Sequence, residues 1–168
     1  TFKEGGSLDV AVTDNKLTRV HGDFPYEAKI AAQGQIPEIN IEGSVNGDYS
    51  DETKKFGGEL TGTLKNAVDI PVNEDKITIK EGATLKATVT NSAPGSLTVA
   101  FDVDYMRKGE LFLAGHVDKA SYDFKTGNFD FKADLTLKAQ IEKQTEDGKW
   151  KFVVQPGSQV GVEVAQSK

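Results

Sequence analysis

Residues able to do acid–base or metal chemistry are few in this 168-residue chain, and their spacing is loose. The histidines are His21 and His116. His116 precedes Asp118 by two positions, which places both on one face of a strand. A histidine beside a carboxylate can ligate metal or move protons. A ligand set needs further partners, which spacing along the chain does not place, so His116 reads as a solvent-facing strand residue. His21 precedes Gly22-Asp23 and reads as an exposed residue at a turn. Asp48, Asp51 and Glu52 crowd the stretch after Asn46-Gly47. Such an oxygen-rich loop suits calcium, but the spacing is not that of an EF-hand, and an acidic hairpin loop is expected. Asp102 and Asp104 share a strand face, as a catalytic carboxylate pair would. Thr98, Lys86 and Lys132 nearby point to cross-strand charge balance instead.

Other reactive groups are excluded outright. There is no cysteine, hence no disulfide, thiol nucleophile or Fe–S cluster. No Gly-x-Ser-x-Gly occurs. Gly5-Gly6 and Gly57-Gly58 open strand-like runs, so no helix start awaits a phosphate. No catalytic residue, metal ligand or cofactor is therefore expected, and the chain is not expected to be an enzyme. Lys and Arg number 20 against 26 Asp and Glu, a net charge of −6, which argues against nucleic acid as a partner. The longest apolar run, Leu111-Phe112-Leu113-Ala114, is far short of the ~20 residues of a membrane helix, so no transmembrane segment is expected. The chain begins at Thr1, which suggests a processed chain or a fragment of a larger protein, secreted or extracytoplasmic.

What positions these side chains is a period of two. Phe129, Phe131, Ala133, Leu135, Leu137, Ala139 and Ile141 alternate with Asp130, Lys132, Asp134, Thr136, Lys138 and Gln140. Alternation of this kind makes a strand with one dry and one wet face. Similar runs carry Leu8, Val10 and Val12; Ile39, Ile41, Val45 and Tyr49; Phe56, Leu60, Leu64 and Val68; Ile77 and Ile79 passing into Leu85, Ala87 and Val89; Leu97 to Tyr105; Leu111, Leu113 and Val117; Trp150, Phe152 and Val154; and Val160, Val162 and Val164. No stretch shows helical spacing. Asp14-Asn15, Asn91–Gly95, Lys108-Gly109, Thr126-Gly127 and Asp147-Gly148 mark turns, and Asn46-Gly47, of the same turn chemistry, interrupts the Tyr49 run. A two-residue turn at Thr126-Gly127 would set Phe124 opposite Phe129. The five prolines are expected at strand edges or interruptions.

The spacing predicts a single all-β domain over residues 1–168: an antiparallel meander of about ten long strands, closing into a β-barrel or a strongly coiled two-layer sheet, with no long helix. Phe101, Tyr105, Phe129, Phe131, Trp150 and Phe152 would fill its core, the Trp150 indole N–H reaching a turn carbonyl. A membrane barrel would need aromatic girdles, and the chain has one Trp and four Tyr. Gly148-Lys149-Trp150 spells the Gly-x-Trp of lipocalins, but that family carries it in the first strand, so no family resemblance follows.

Two functions fit. The first is a non-catalytic structural or protein-interaction module with a filled core and exposed strand edges. The second is a lipocalin-like carrier with a hydrophobic small molecule or lipid inside a barrel. It would hold a cavity of ~300–1,000 Å³, with room left by Gly58, Gly62, Ala87, Ala133 and Ala139. In that case Phe101, Tyr105, Phe129, Phe131 and Trp150 are the candidate ligand-binding residues. The partner is thus a protein or a hydrophobic small molecule.

Overall fold

Alternation becomes strand nearly everywhere. The computed structural model describes all residues except Ile36, Asp147 and Lys168, so the Asp147-Gly148 turn reading falls partly outside the described residues. Among the described residues there are thirteen strands and no helix. They are β1 (Ser7–Thr13), β2 (Lys16–Ile30), β3 (Ile39–Ser50), β4 (Lys55–Leu64), β5 (Val68–Val72), β6 (Asp75–Ile79), β7 (Thr84–Thr90), β8 (Ala93–Arg107), β9 (Glu110–Asp123), β10 (Phe129–Leu137), β11 (Ile141–Gln144), β12 (Lys151–Val154) and β13 (Gln159–Ser167). Among the described residues no helix is long and apolar enough to cross a membrane, which says nothing of crossing by strands.

Nine strands form one path, β1-β2-β3-β4-β7-β8-β9-β10-β13, and every neighbouring pair is antiparallel. β1 and β13 are its two ends and do not pair with each other, so no closed barrel forms among the described residues. One side of β8 serves two strands in turn: β7 pairs along Ala93–Ala100 and β6 along Val103–Met106. β5 pairs with β6 alone. The alternation expected to run from Phe129 to Ile141 ends at Leu137, where β10 closes against Ser158 and Gly157. β11 and β12 pair only with each other, as an arm beyond the β10–β13 pair.

Register keeps the two parities apart. Phe24, Val45, Leu60, Ala87, Leu97, Tyr122 and Phe129 stand in one row across seven strands. Beside it runs Ser44, Thr61, Lys86, Thr98, Ser121 and Asp130. β-Bulges hold this order where the sequence parity changes. In β9, Val117 faces Ala133 and Lys119 faces Lys132, so Asp118 is an extra residue. Beyond it the apolar set passes from Leu113 and Val117 to Ala120 and Tyr122.

Glycines on the apolar side let rings and backbones approach. Gly22, Gly47 and Gly58 are aligned across β2, β3 and β4, and Phe24 and Phe56 lie against them. Asn46-Gly47 is therefore mid-strand, not an interruption, because its missing side chain is the space for the Phe56 ring. His21 likewise lies within β2 and not at a turn. Gly115 is pressed hardest on the β10 side: a Cβ there would stand 2.1 Å from the Asp134 carbonyl oxygen.

The turns follow the sequence in part. Asp14-Asn15 and Asn91-Ser92 take positive φ at both residues, and so do Lys108-Gly109, the geometry two-residue hairpins favour. Asn91-Ser92 alone makes the β7–β8 turn, and Pro94 falls inside β8 at a register shift. Pro25 and Pro71 are also within strands, Pro71 on β5, which has a partner on one side only. Phe124 does not face Phe129; Tyr122 does. The Asp123 carboxylate accepts the backbone N–H groups of Lys125 and Thr126 at 2.8 Å, which lengthens that loop and leaves Phe124 edge-on to Tyr122.

The expected filled core is absent. Buried apolar residues among those described are Leu64, Val68, Val117, Ala133 and Leu137. The accessible surface is 11398 Å², about 40% above the ~8,100 Å² typical of a folded monomer of this mass. Most of the apolar face is uncovered. Trp150 is no core residue: it is 68% exposed at the arm, because that arm has no layer to pack on.

Gly115→Ala is expected to lose about 1–3 kcal/mol in urea unfolding, the cost of forcing an atom into a packed backbone. Gly161→Ala is the control: its Cβ would meet nothing closer than 3.6 Å, and stability should change by less than about 0.5 kcal/mol.

Candidate functional site

The apolar face forms a trough where the sheet divides. β4 leaves β3 and β7 at Leu64, and the chain turns through Asn66 into the β5–β6 hairpin. Between the two lies a trough of about 370 Å³ with a wholly apolar lining. Ile39, Ile41 and Leu64 form one wall; Val68, Ile70 and Ile79 form the other; Leu85, Val99 and Phe101 of β7 and β8 lie between. A second apolar hollow, about 200 Å³, lies toward the β1 edge between Leu8, Phe24 and Phe56.

Polar groups hold the trough walls from outside. Asn66 accepts the Asn40 N–H at 2.8 Å and donates to the Glu38 carbonyl at 2.8 Å, binding the β4–β5 corner to the start of β3. Within the hairpin, Asp69 takes Lys76 at 2.9 Å and Thr78 at 2.7 Å. Asp75, opening β6, accepts the Tyr105 hydroxyl and the Lys108 backbone N–H, the latter at 3.0 Å. This fastens the hairpin to β8 and to the β8–β9 turn. The Tyr105 bond, then the Lys108 N–H, holds the Asp75 carboxyl below the usual carboxylate range, and the same bond raises the Tyr105 hydroxyl. Lys76 and then Thr78 lower Asp69.

The expected ligand residues do not converge. Phe101 lines the trough. Tyr105 is spent on Asp75 and stands edge-on to Phe112 at 6.0 Å. Phe129 and Phe131 stack on each other at 6.4 Å beside β13. Trp150 is on the arm. The small residues expected to leave room do not line the trough. A Cβ at Gly62 would meet Ile41, Tyr26 and Leu85 within 3.2 Å, at Gly58 the Asn46 carbonyl at 2.5 Å, and Ala133 is itself buried. The trough comes from strand divergence, whose only mark in the sequence is Asn66 breaking the Leu60, Leu64, Val68 series.

The opposite face pairs its charges locally. His116 Nδ1 stands 2.7 Å from Asp102 Oδ1, with Asp118 at 3.8 Å from Nε2. Lys80 is 3.0 Å from Asp104. Asp102 and Asp104 thus face one way, but their partners are His116 and Lys80; Lys86 goes to Glu59 at 2.5 Å and Lys132 to Asp118 at 3.7 Å. Asp48 accepts Arg19 at 2.5 Å and His21 at 3.0 Å, and the Arg19 contact chiefly lowers its carboxyl. Asp51 pairs with Lys54 instead, so the acidic stretch does not gather on one point. No group of three metal-ligating side chains occurs among the described residues.

Compared with family models, curated proteins and solved structures, the chain matches none.

The lowered carboxyls fix the sign of the acid response. An Asp whose folded value lies below its unfolded one adds stability above the unfolded value, near pH 4, and loses it as pH falls through the folded value. Asp48, Asp69, Asp75, Asp123 and Asp130 are all of this kind. Thermal midpoints should be level near neutral pH and fall below about pH 4. Asp75→Asn should lower the neutral midpoint and flatten part of that fall, as read by scanning calorimetry.

Proposed function

We propose that this is a non-catalytic β-domain that binds a hydrophobic small molecule or a lipid acyl chain in the trough between β3–β4 and β5–β6. The observation that carries this reading is the wholly apolar lining of a space of about 370 Å³, inside the ~300–1,000 Å³ range of small-molecule sites. An apolar guest would remove water from Ile41, Ile70, Leu85 and Val99 at roughly 25 cal/mol per Å² covered. With no charge along the walls, selection would rest on shape and length and not on a head group. The expected barrel enclosure is not needed for this: an open sheet presents an apolar lining from one side.

The reading includes no chemical step. The carboxylates and histidines that could take part in one lie on the other face, each engaged by a neighbour across the strands. A purely structural module is the weaker reading, since it asks for a filled interior and this sheet leaves its apolar side open.

Native mass spectrometry after gentle purification should show co-purified lipid or, after stripping, uptake of a long-chain fatty acid. Leu85→Asp should weaken uptake at least tenfold, about 1.4 kcal/mol. Val162→Asp, on the same face but away from the trough, should leave it unchanged. Equal loss in both variants, or no uptake by the stripped protein, would count against the proposal.

A further inference from the structure

We propose that the chain pairs with a second copy of itself through the free edge of β1, antiparallel, about a two-fold axis at Val10. The edge is open in the plainest sense. β1 is hydrogen-bonded to β2 alone, and every one of its residues is exposed. Leu8, Val10 and Val12 are 61%, 55% and 62% exposed. An edge strand offers unpaired N–H and C=O groups to any strand that meets it, and proteins usually guard such edges with Lys, Pro or a bulge. β1 has no Lys, Arg or Pro. The register shift beside it leaves Thr18 as the extra residue, and Thr18 belongs to β2. β1 itself therefore keeps its regular pleat.

Strand direction then selects the partner. Eight antiparallel steps separate β1 from β13, so the two edges run the same way. Joining β1 to β13, within one chain or between copies that keep their apolar faces on the same side, would place a parallel pair in an otherwise antiparallel sheet. A two-fold β1–β1 pair keeps the antiparallel ladder, the slightly more stable kind. With Val10 on the axis, Leu8 faces Val12 of the second copy, Asp9 faces Ala11 and Ser7 faces Thr13, so apolar meets apolar and no charges oppose. Self-pairing of β13 over its full length would set Glu163 against Glu163, and its valines are less exposed. The Leu8 hollow would adjoin its copy across the axis, joining the two apolar faces. The proposal rests on the edge alone and stands apart from the ligand reading.

Sedimentation velocity over a concentration series should show a species of twice 18.1 kDa. Val10→Lys should halve that mass, with circular dichroism reporting an intact sheet. Directly opposed residues have Cα atoms ~4.5–5.5 Å apart, within the ~4.4–6.8 Å that a disulfide spans. Because the chain has no cysteine, Val10→Cys should give a disulfide-linked dimer under mild oxidation, and Val162→Cys should not. A single 18.1 kDa species throughout, a dimer that survives Val10→Lys, or cross-linking at position 162 in place of 10 would overturn the proposal.

Discussion

The register between strands is the constraint on which everything else depends. A slip of one residue at any junction would carry a whole strand's apolar set to the wet face. In this sheet the rows hold from β2 to β10 without such a slip, and bulges take up each change of parity. Because the apolar face has no second layer over most of its extent, register is enforced by the sheet itself: by cross-strand pairs such as Ser44 with Thr61, by ion pairs such as Lys119 with Asp130, and by rings resting on glycines. The individual surface pairs are weak, each worth at most about 1 kcal/mol. Their number and regular spacing set the alignment.

The same constraint explains why the trough sits where it does. A sheet that stays in register can open a space only where hydrogen bonding is interrupted. The interruption is the corner at Asn66, after which β8 exchanges one partner strand for another. Asn66 and Asp75 lie around this break and accept backbone N–H groups beside it, while Asp69 ties Lys76 and Thr78 within the hairpin. An apolar space and its polar fastenings therefore arise from one event in the chain path.

Much of the fold is written in short-range signals. Leu8-Asp9-Val10 and Leu97-Thr98-Val99 declare strands through alternation, and Asp14-Asn15 and Lys108-Gly109 declare turns through residues that accept positive φ. Signals that depend on a neighbouring strand are not written locally. Asn46-Gly47 has the spelling of a turn and is extended, because Phe56 of the next strand needs the room. Asp118 looks like a strand residue and is a bulge, because β10 has one residue fewer at that point. Phe129 and Phe131 are aromatic enough for a binding site, yet only the strand order shows them beside an edge strand and far along the path from the trough. Trp150 reads as core from its type, and nothing in its own segment tells that β11 and β12 lie off the main path.

That last feature has an optical consequence. The chain's lone tryptophan reports on the arm and not on the large sheet. Its indole is already mostly in water in the folded chain, so its emission should shift little when the nine-strand path comes apart. The four tyrosines are better placed: Tyr26, Tyr49, Tyr105 and Tyr122 are all within strands of that path. A chemist following this protein by light should watch the phenols.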